Sequence, residues 1–266
     1  MPKPSLLGLL DRVLRGGFLG RDTLASGRID VPTGKLTQLC LLLGGIYGVC
    51  LGCHALFGGA QYAPLQMLAS ALKVPLLFVL TLAVSFPSLY VFAALQRLPL
   101  DLGNTMRLML LAILVNLTVI ASLGPVFAFF AASTRSYPFL LLLNVAIFAI
   151  GGLLGLMVLR RATRDMFATP PAEPAPPAPA TPNAPTAEPA PPPAPNSPLR
   201  HRTVAADQAR RLLGVWSVVY GVVGAQMGWL LRPFLGSPDA PFEWFRARED
   251  NFLVALLRTL GKLFGQ

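Results

Sequence analysis

The sequence predicts an all-α integral membrane protein: a five-helix transmembrane bundle with amphipathic helices at both termini. Of its 266 residues 54% are hydrophobic and 13% charged, with a mean hydropathy of +0.59. An ordinary soluble domain carries about 25% charged residues. Five windows contain no Asp, Glu, Lys or Arg: Leu36–Leu72, Val74–Gln96, Leu108–Thr134, Ser136–Leu159 and Leu212–Leu231, of 37, 23, 27, 24 and 20 residues. Crossing about 30 Å of hydrocarbon takes roughly 20 mainly apolar residues, and every window reaches that length. Shorter amphipathic stretches precede the first window and follow the last. These patterns exclude a soluble enzyme. They also exclude a transmembrane barrel, whose strands alternate apolar and polar residues over about 10 positions.

The leader, 1–35, is expected to be cytoplasmic. Leu6, Leu7, Leu9, Leu10, Val13, Leu14 and Phe18 recur at helical spacing, with Asp11, Arg12 and Arg15 on the other side. A secretory signal would bring its apolar run close to the N-terminus, whereas the first long run here starts at Leu36. Two readings of this helix stand: it lies in the membrane interface, or it packs on the protein's own cytoplasmic face.

Transmembrane helices 1–4 are placed within 36–165. The 37-residue window divides at Gly58-Gly59-Ala60-Gln61-Tyr62-Ala63-Pro64, a cluster of turn formers, giving helix 1 over about 37–58 and helix 2 over about 70–96. Helix 3 covers about 105–131, with Asn104 as its N-cap and an end or kink at Gly124-Pro125. Helix 4 covers about 137–160. The segment 166–200 is a Pro/Ala-rich disordered linker: Pro170 to Pro198 holds 14 of the 26 prolines, and its only charges are Glu173 and Glu188. Proline lacks an amide donor and fixes φ, so an extended solvated spacer is expected, with a docking motif for aromatic-lined grooves as the other reading.

Helix 5 covers about 211–231, within 201–235. In the tail, 236–266, the chain leaves the membrane through an ordered turn, Arg232 to Asp239. A second amphipathic helix then follows, with Phe252, Leu253, Leu256, Leu257, Leu260, Leu263 and Phe264 along one face. It is too short to span and suits the interface, as do Phe242, Trp244 and Phe245 at headgroup level.

Cytoplasmic loops carry the excess of Lys and Arg. With five spans, fifteen basic residues fall on the N-terminal side and seven on the other, Lys73 among the seven. The N-terminus is therefore expected inside and the C-terminus outside. The net charge of +10 points to anionic lipids in the bilayer and requires no nucleic acid.

Cys50-Leu51-Gly52-Cys53-His54 spells the c-type haem attachment signature. It is embedded in an apolar helix, however, and the other histidine, His201, falls on the opposite side of the membrane. No cofactor and no metal are expected. No carboxylate lies in any window, no H-E-x-x-H or G-x-S-x-G occurs, and no catalytic residue is assigned. The absence of intramembrane carboxylates also argues against a proton-coupled pump.

The polar groups left at depth are uncharged: Ser85 and Ser88 flanking Pro87 in helix 2, Asn116, Asn144 and Gln226. Asn144 and Gln226 lie at similar depth, which allows a bond between them, and Pro87 should kink helix 2. Gly44, Gly48 and Gly52, then Gly151 and Gly155, then Gly224 and Gly228 place glycine on one face of three helices. Such faces let backbones approach closely, within one bundle or in a homodimer.

The stretches Ser70–Phe92, Ser133–Asn144 and Tyr220–Arg246 resemble a family of bacterial multi-pass inner-membrane proteins of unassigned function. More distantly, five spans with a cytoplasmic N-terminus resemble the Yip1-type membrane proteins, which in eukaryotes act in vesicle trafficking with small GTPases. The D-L-Y-G-P signature of that family is absent, Gly45-Ile46-Tyr47-Gly48 being its faint echo, so a GTPase partner is not carried over. The resemblance implies a bacterial inner-membrane location. The leading expectation is a non-enzymatic scaffold or membrane-organising component, with the turn bearing Arg232 and Asp239 meeting a membrane protein partner or a headgroup. The alternative is a small transporter or channel for an uncharged or lipid-like solute, its path lined by Ser85, Ser88, Asn116, Asn144 and Gln226 beside the Pro87 kink.

Overall fold

The structure, a computed structural model, describes residues 5–17, 31–59, 61–95, 102–166, 198–232, 234–235, 242–245 and 252–263. The described residues form helices α1 (Leu6–Leu14), α2 (Thr33–Phe57), α3 (Ala63–Leu95), α4 (Leu102–Ser133), α5 (Tyr137–Met166), α6 (Pro198–Leu230) and α7 (Phe252–Leu263), with no strand among them. Four segments are long and apolar enough to cross a membrane: Thr33–Phe57, Ala63–Phe92, Thr105–Ser133 and Tyr137–Ala162. α6 is as long as any, but its first half carries Arg200, Arg202, Asp207, Arg210 and Arg211, so its apolar character is confined to the part after Arg211.

Several boundaries differ from expectation. α3 starts at Ala63, seven residues before position 70, because Pro64 opens the helix where a turn was expected. At the first helical positions the missing amide costs nothing and the fixed φ is helical. Lys73, counted with the basic residues of the outer side, sits inside α3 and is buried. α4 starts at Leu102, so Asn104 lies in its first turn, past the N-cap position, and the helix continues through Gly124 and Pro125 to Ser133. The turn at Gly58-Gly59 is present, with Gly59 at φ +70°, the left-handed conformation that ends helices at low cost only for glycine. The linker from 167 to 197 and Phe18 of the leader lie outside the described residues.

α1 begins at Ser5, whose side chain accepts from the Gly8 amide at 3.1 Å. The helix divides its apolar face: Leu9 and Val13 are buried against the body, while Leu7 and Leu14 are exposed. Leu9 and Val13 thus hold α1 on the body of the protein.

α2 is the centre of the bundle, packed on both α3 and α4. Its glycines lie against α3. A Cβ at Gly44 would stand 3.0 Å from Pro75, one at Gly48 would overlap the Ser70 carbonyl and the Ala71 backbone, and one at Gly52 would reach 2.5 Å from Met67 Cα. The whole glycine face is thus used within the chain. α5 packs on α4 in the same way, with Gly151 and Gly155 over Asn116, Ile120 and Ala112. Four rings tie α2 to α5 together: Tyr47 meets Phe127 and Phe148 edge-on at 6.4 and 5.8 Å, and Phe148 stacks on Phe78 at 5.9 Å.

α6 docks on α3 through polar groups. Gln66, Ser70, Lys73, Thr81 and Ser85 recur at spacings of three, four and eight residues along α3 and are all buried, forming one stripe. Near Pro87, which cannot donate to the Ala83 carbonyl, the Ser85 carbonyl accepts from Trp216 Nε1 of α6 at 2.9 Å. At the other end Ser70 Oγ and Gln66 Nε2 donate to the Phe234 carbonyl at 2.6 and 3.3 Å, and Lys73 Nζ donates to the Trp244 carbonyl. The Lys73 ammonium lies 6.0 Å from the Trp244 ring and 5.3 Å from the Phe245 ring, within cation–π range.

Candidate functional site: a cleft between α5 and α6

α5 leans mainly on α4 and α6 mainly on α3, and the two outer helices touch each other over a smaller area. Their facing surfaces include small residues, Ala149 and Gly152 on α5 and Gly221, Gly224 and Ala225 on α6, among larger ones such as Phe148, Leu156 and Tyr220. Such residues leave space where large side chains would have met. The result is a cleft of about 1060 Å³, at or above the upper end of the range for small-molecule sites. Its floor is Leu77, Phe78 and Leu82 of α3 with Met109, Ile113 and Asn116 of α4. It opens at the surface beside Leu153, which lines it and is 58% exposed.

The two ends of the cleft differ chemically. One is apolar and closed by Leu159 and Trp216. The other, where α6 ends and α7 crosses, presents Arg232, Arg258 and Thr259 alongside Phe234, Leu235 and Leu256. The Arg232 guanidinium stacks over the Trp229 ring at 3.5 Å, which fixes its plane. No carboxylate is among the described residues lining the cleft.

The expected polar path is only partly brought here. Asn116 and Asn144 border the cleft; Ser85, Ser88 and Gln226 do not. Ser85 Oγ donates to the Thr81 carbonyl at 2.5 Å and Ser88 Oγ to the Ser85 carbonyl at 2.6 Å, so both hydroxyls turn back onto their own helix. The bond anticipated between Asn144 and Gln226 is absent: Gln226 is exposed, and Asn144 Oδ1 accepts from the Tyr47 hydroxyl of α2 at 2.9 Å. Asn116 is buried beneath Gly151, where a Cβ would overlap its Oδ1.

Gly224 and Gly228 face Thr81 and Leu77 at 3.5 and 3.9 Å, ordinary contacts that leave the α3–α6 seam looser than α2–α3. Arg232 of the expected partner turn stands at the cleft mouth; Asp239 lies outside the described residues. Cys50 and Cys53 are free thiols, His54 is buried, and no three metal-binding side chains cluster among the described residues.

Sequence reasoning missed the roles of Tyr47, Lys73 and Trp216. Each carries a polar group in or beside an apolar window, and that was the available signal. The Tyr47–Asn144 bond gives a direct test. Tyr47→Phe leaves Asn144 Oδ1 without this donor and should lower stability by about 0.6–2 kcal/mol. Adding Asn144→Leu should recover part of the loss, read as a coupling energy in a thermal-melt double-mutant cycle. Strict additivity would show that the two side chains do not interact.

No protein-family model, curated protein or solved structure matches the chain.

Proposed function

We propose that the chain is a non-enzymatic multi-pass membrane protein that holds a lipid-like, long-chain amphiphile in the cleft between α5 and α6. The cleft itself carries this reading. It lies between apolar helices, is lined mainly by hydrocarbon, and opens sideways toward where acyl chains would be. From Trp216 to Trp229 it follows α6 for about 20 Å at about 1.5 Å per residue, a large part of the roughly 30 Å hydrocarbon thickness. In this reading the charge-free half of α6 serves as a fifth span, so the termini lie on opposite sides of a bacterial inner membrane, and the excess of Lys and Arg on the N-terminal side supports a cytoplasmic N-terminus.

This is the lipid-like-solute reading. The scaffold reading lacks comparable support, because the turn expected to meet a partner is engaged at Phe234 by Gln66 and Ser70 of α3.

Filling the cleft tests the proposal. A Cβ at Gly152 or Gly221 meets nothing within 4 Å, so Gly152→Phe with Gly221→Phe should fold and fill the space. A phospholipid bearing a photoreactive acyl chain should label wild-type protein mainly on the cleft segments 141–156 and 217–228, and the double variant at least about fivefold less there. Labelling spread evenly around the bundle would overturn the proposal.

A further inference from the structure

The closed end of the cleft sets how far an occupant can reach. Leu159 of α5 and Trp216 of α6 line that end, and both are buried. Each stands where its helix gives up its apolar character. Leu159 directly precedes Arg160 and Arg161, and Trp216 follows Arg210 and Arg211 after four uncharged residues. Trp216 is also fixed in place. A tryptophan at a membrane surface ordinarily keeps its N–H among the headgroups. Trp216 Nε1 instead donates to the Ser85 carbonyl of α3 at 2.9 Å, and its ring lies 5.3 Å from that of Tyr220. Leu82, three residues before Ser85 on α3, belongs to the same lining. The terminus of a hydrocarbon chain suits such a wall, because it makes no hydrogen bond and gains by filling space up to a packed surface. A gap forfeits contacts, and an overlong chain must bend or displace its neighbours.

We propose that Trp216 and Leu159 form a length stop: one acyl chain of the bound amphiphile runs along α5 and α6 and ends against the Trp216 ring, so that the cleft selects chains by length. The proposal rests on the cleft being an amphiphile site and adds which part of the ligand is measured and which residues measure it. A chain reaching from the level of Trp229 to Trp216 covers about 20 Å. That is more than half of the roughly 30 Å hydrocarbon thickness, so the selected chain is a long one held extended.

The experiment uses the full chain in mild detergent, offered an equimolar series of saturated lysophosphatidylcholines of increasing chain length, with bound lipid counted by intact-complex mass spectrometry. Retention by wild type should rise with chain length to a maximum and then fall by about fivefold or more over the next few carbons. Trp216→Ala should move the maximum to chains about two to four carbons longer, because the space an indole vacates there is continuous with the cleft. The Ser85 carbonyl keeps the Ser88 hydroxyl as a donor at 2.6 Å, so this variant orphans no acceptor. Leu159→Ala, a smaller change at the same end, should move the maximum in the same direction by about two carbons, and it decides the matter if the tryptophan variant fails to fold. Leu153→Ala, at the exposed side opening, should leave the maximum in place. Retention that climbs without a maximum in wild type, or a maximum unmoved in the folded Trp216 and Leu159 variants, overturns the length stop and leaves the cleft reading standing. Unchanged retention across the series in Gly152→Phe with Gly221→Phe overturns both.

Discussion

Gly48→Ala should be the most damaging single-methyl substitution in the chain. The added Cβ would overlap the Ser70 carbonyl and the Ala71 backbone, and neither can swing aside as a side-chain tip does. Relief requires the α2–α3 pair, the closest packed in the bundle, to separate. Overpacking costs about 1–3 kcal/mol and more where backbone must move. At the upper figure, a chain of this size should melt roughly 6–12 °C lower. Gly45 is the control on the same helix: its Cβ would rest 3.7 Å from the Ala71 carbonyl, an ordinary contact. Gly45→Ala should therefore melt as wild type or slightly higher, given alanine's better helix propensity. Thermal melts in one detergent decide it. Equal melting of the two variants would mean that α2 and α3 do not cross where the structure places them.

Lys73→Met should release the chain after α6 without dissolving the bundle. The ammonium donates to the Trp244 carbonyl and lies near the Trp244 and Phe245 rings. A charged hydrogen bond contributes about 1.5–3 kcal/mol, so amide exchange over 242–245 should accelerate by about 10- to 100-fold, while 234–235, held by Ser70 and Gln66, should change less. Against this, methionine fills similar volume and brings no charge to bury, and replacing a buried charge by an apolar group is often neutral overall. The global melt should move far less than the local exchange. Exchange at wild-type rates in this segment would show that Lys73 does not hold it.

The apolar helices were legible because a membrane enforces one simple rule: about 20 residues without charge. That rule placed the cores of α2 to α5 and missed their ends, since charged and turn-forming residues remain helical outside the hydrocarbon. It also grouped Lys73 with the outer basic residues, because a charge count does not distinguish a loop lysine from one that reaches a distant carbonyl. The signal was present. Gln66, Ser70, Lys73, Thr81 and Ser85 share a face of α3, and polar residues in phase on an apolar helix mark its seam with another part of the chain.

Glycine spacing likewise showed which faces are close-packed but not against what. Gly48 needs a partner without bulk, and many helices would serve. The cleft was the least legible feature. It exists because α5 and α6 choose α4 and α3 as neighbours and turn small residues toward each other, a relation between helices that no single window contains. Asn144 found Tyr47, 97 positions away, for the same reason: depth alone does not choose between candidate partners.

The polar seam on α3 also bears on the order of synthesis. Ser70 and Lys73 leave the ribosome early, while the carbonyls they donate to belong to Phe234 and Trp244, 164 and 171 residues later. Throughout that interval α3 presents a cation and several hydroxyl and amide groups on a face that its later neighbour has not yet covered. The insertion machinery, or water retained beside it, must shelter that face until the last part of the chain arrives. α2 and α3 can zip along their glycines at once, but the bundle is completed from its final residues inward.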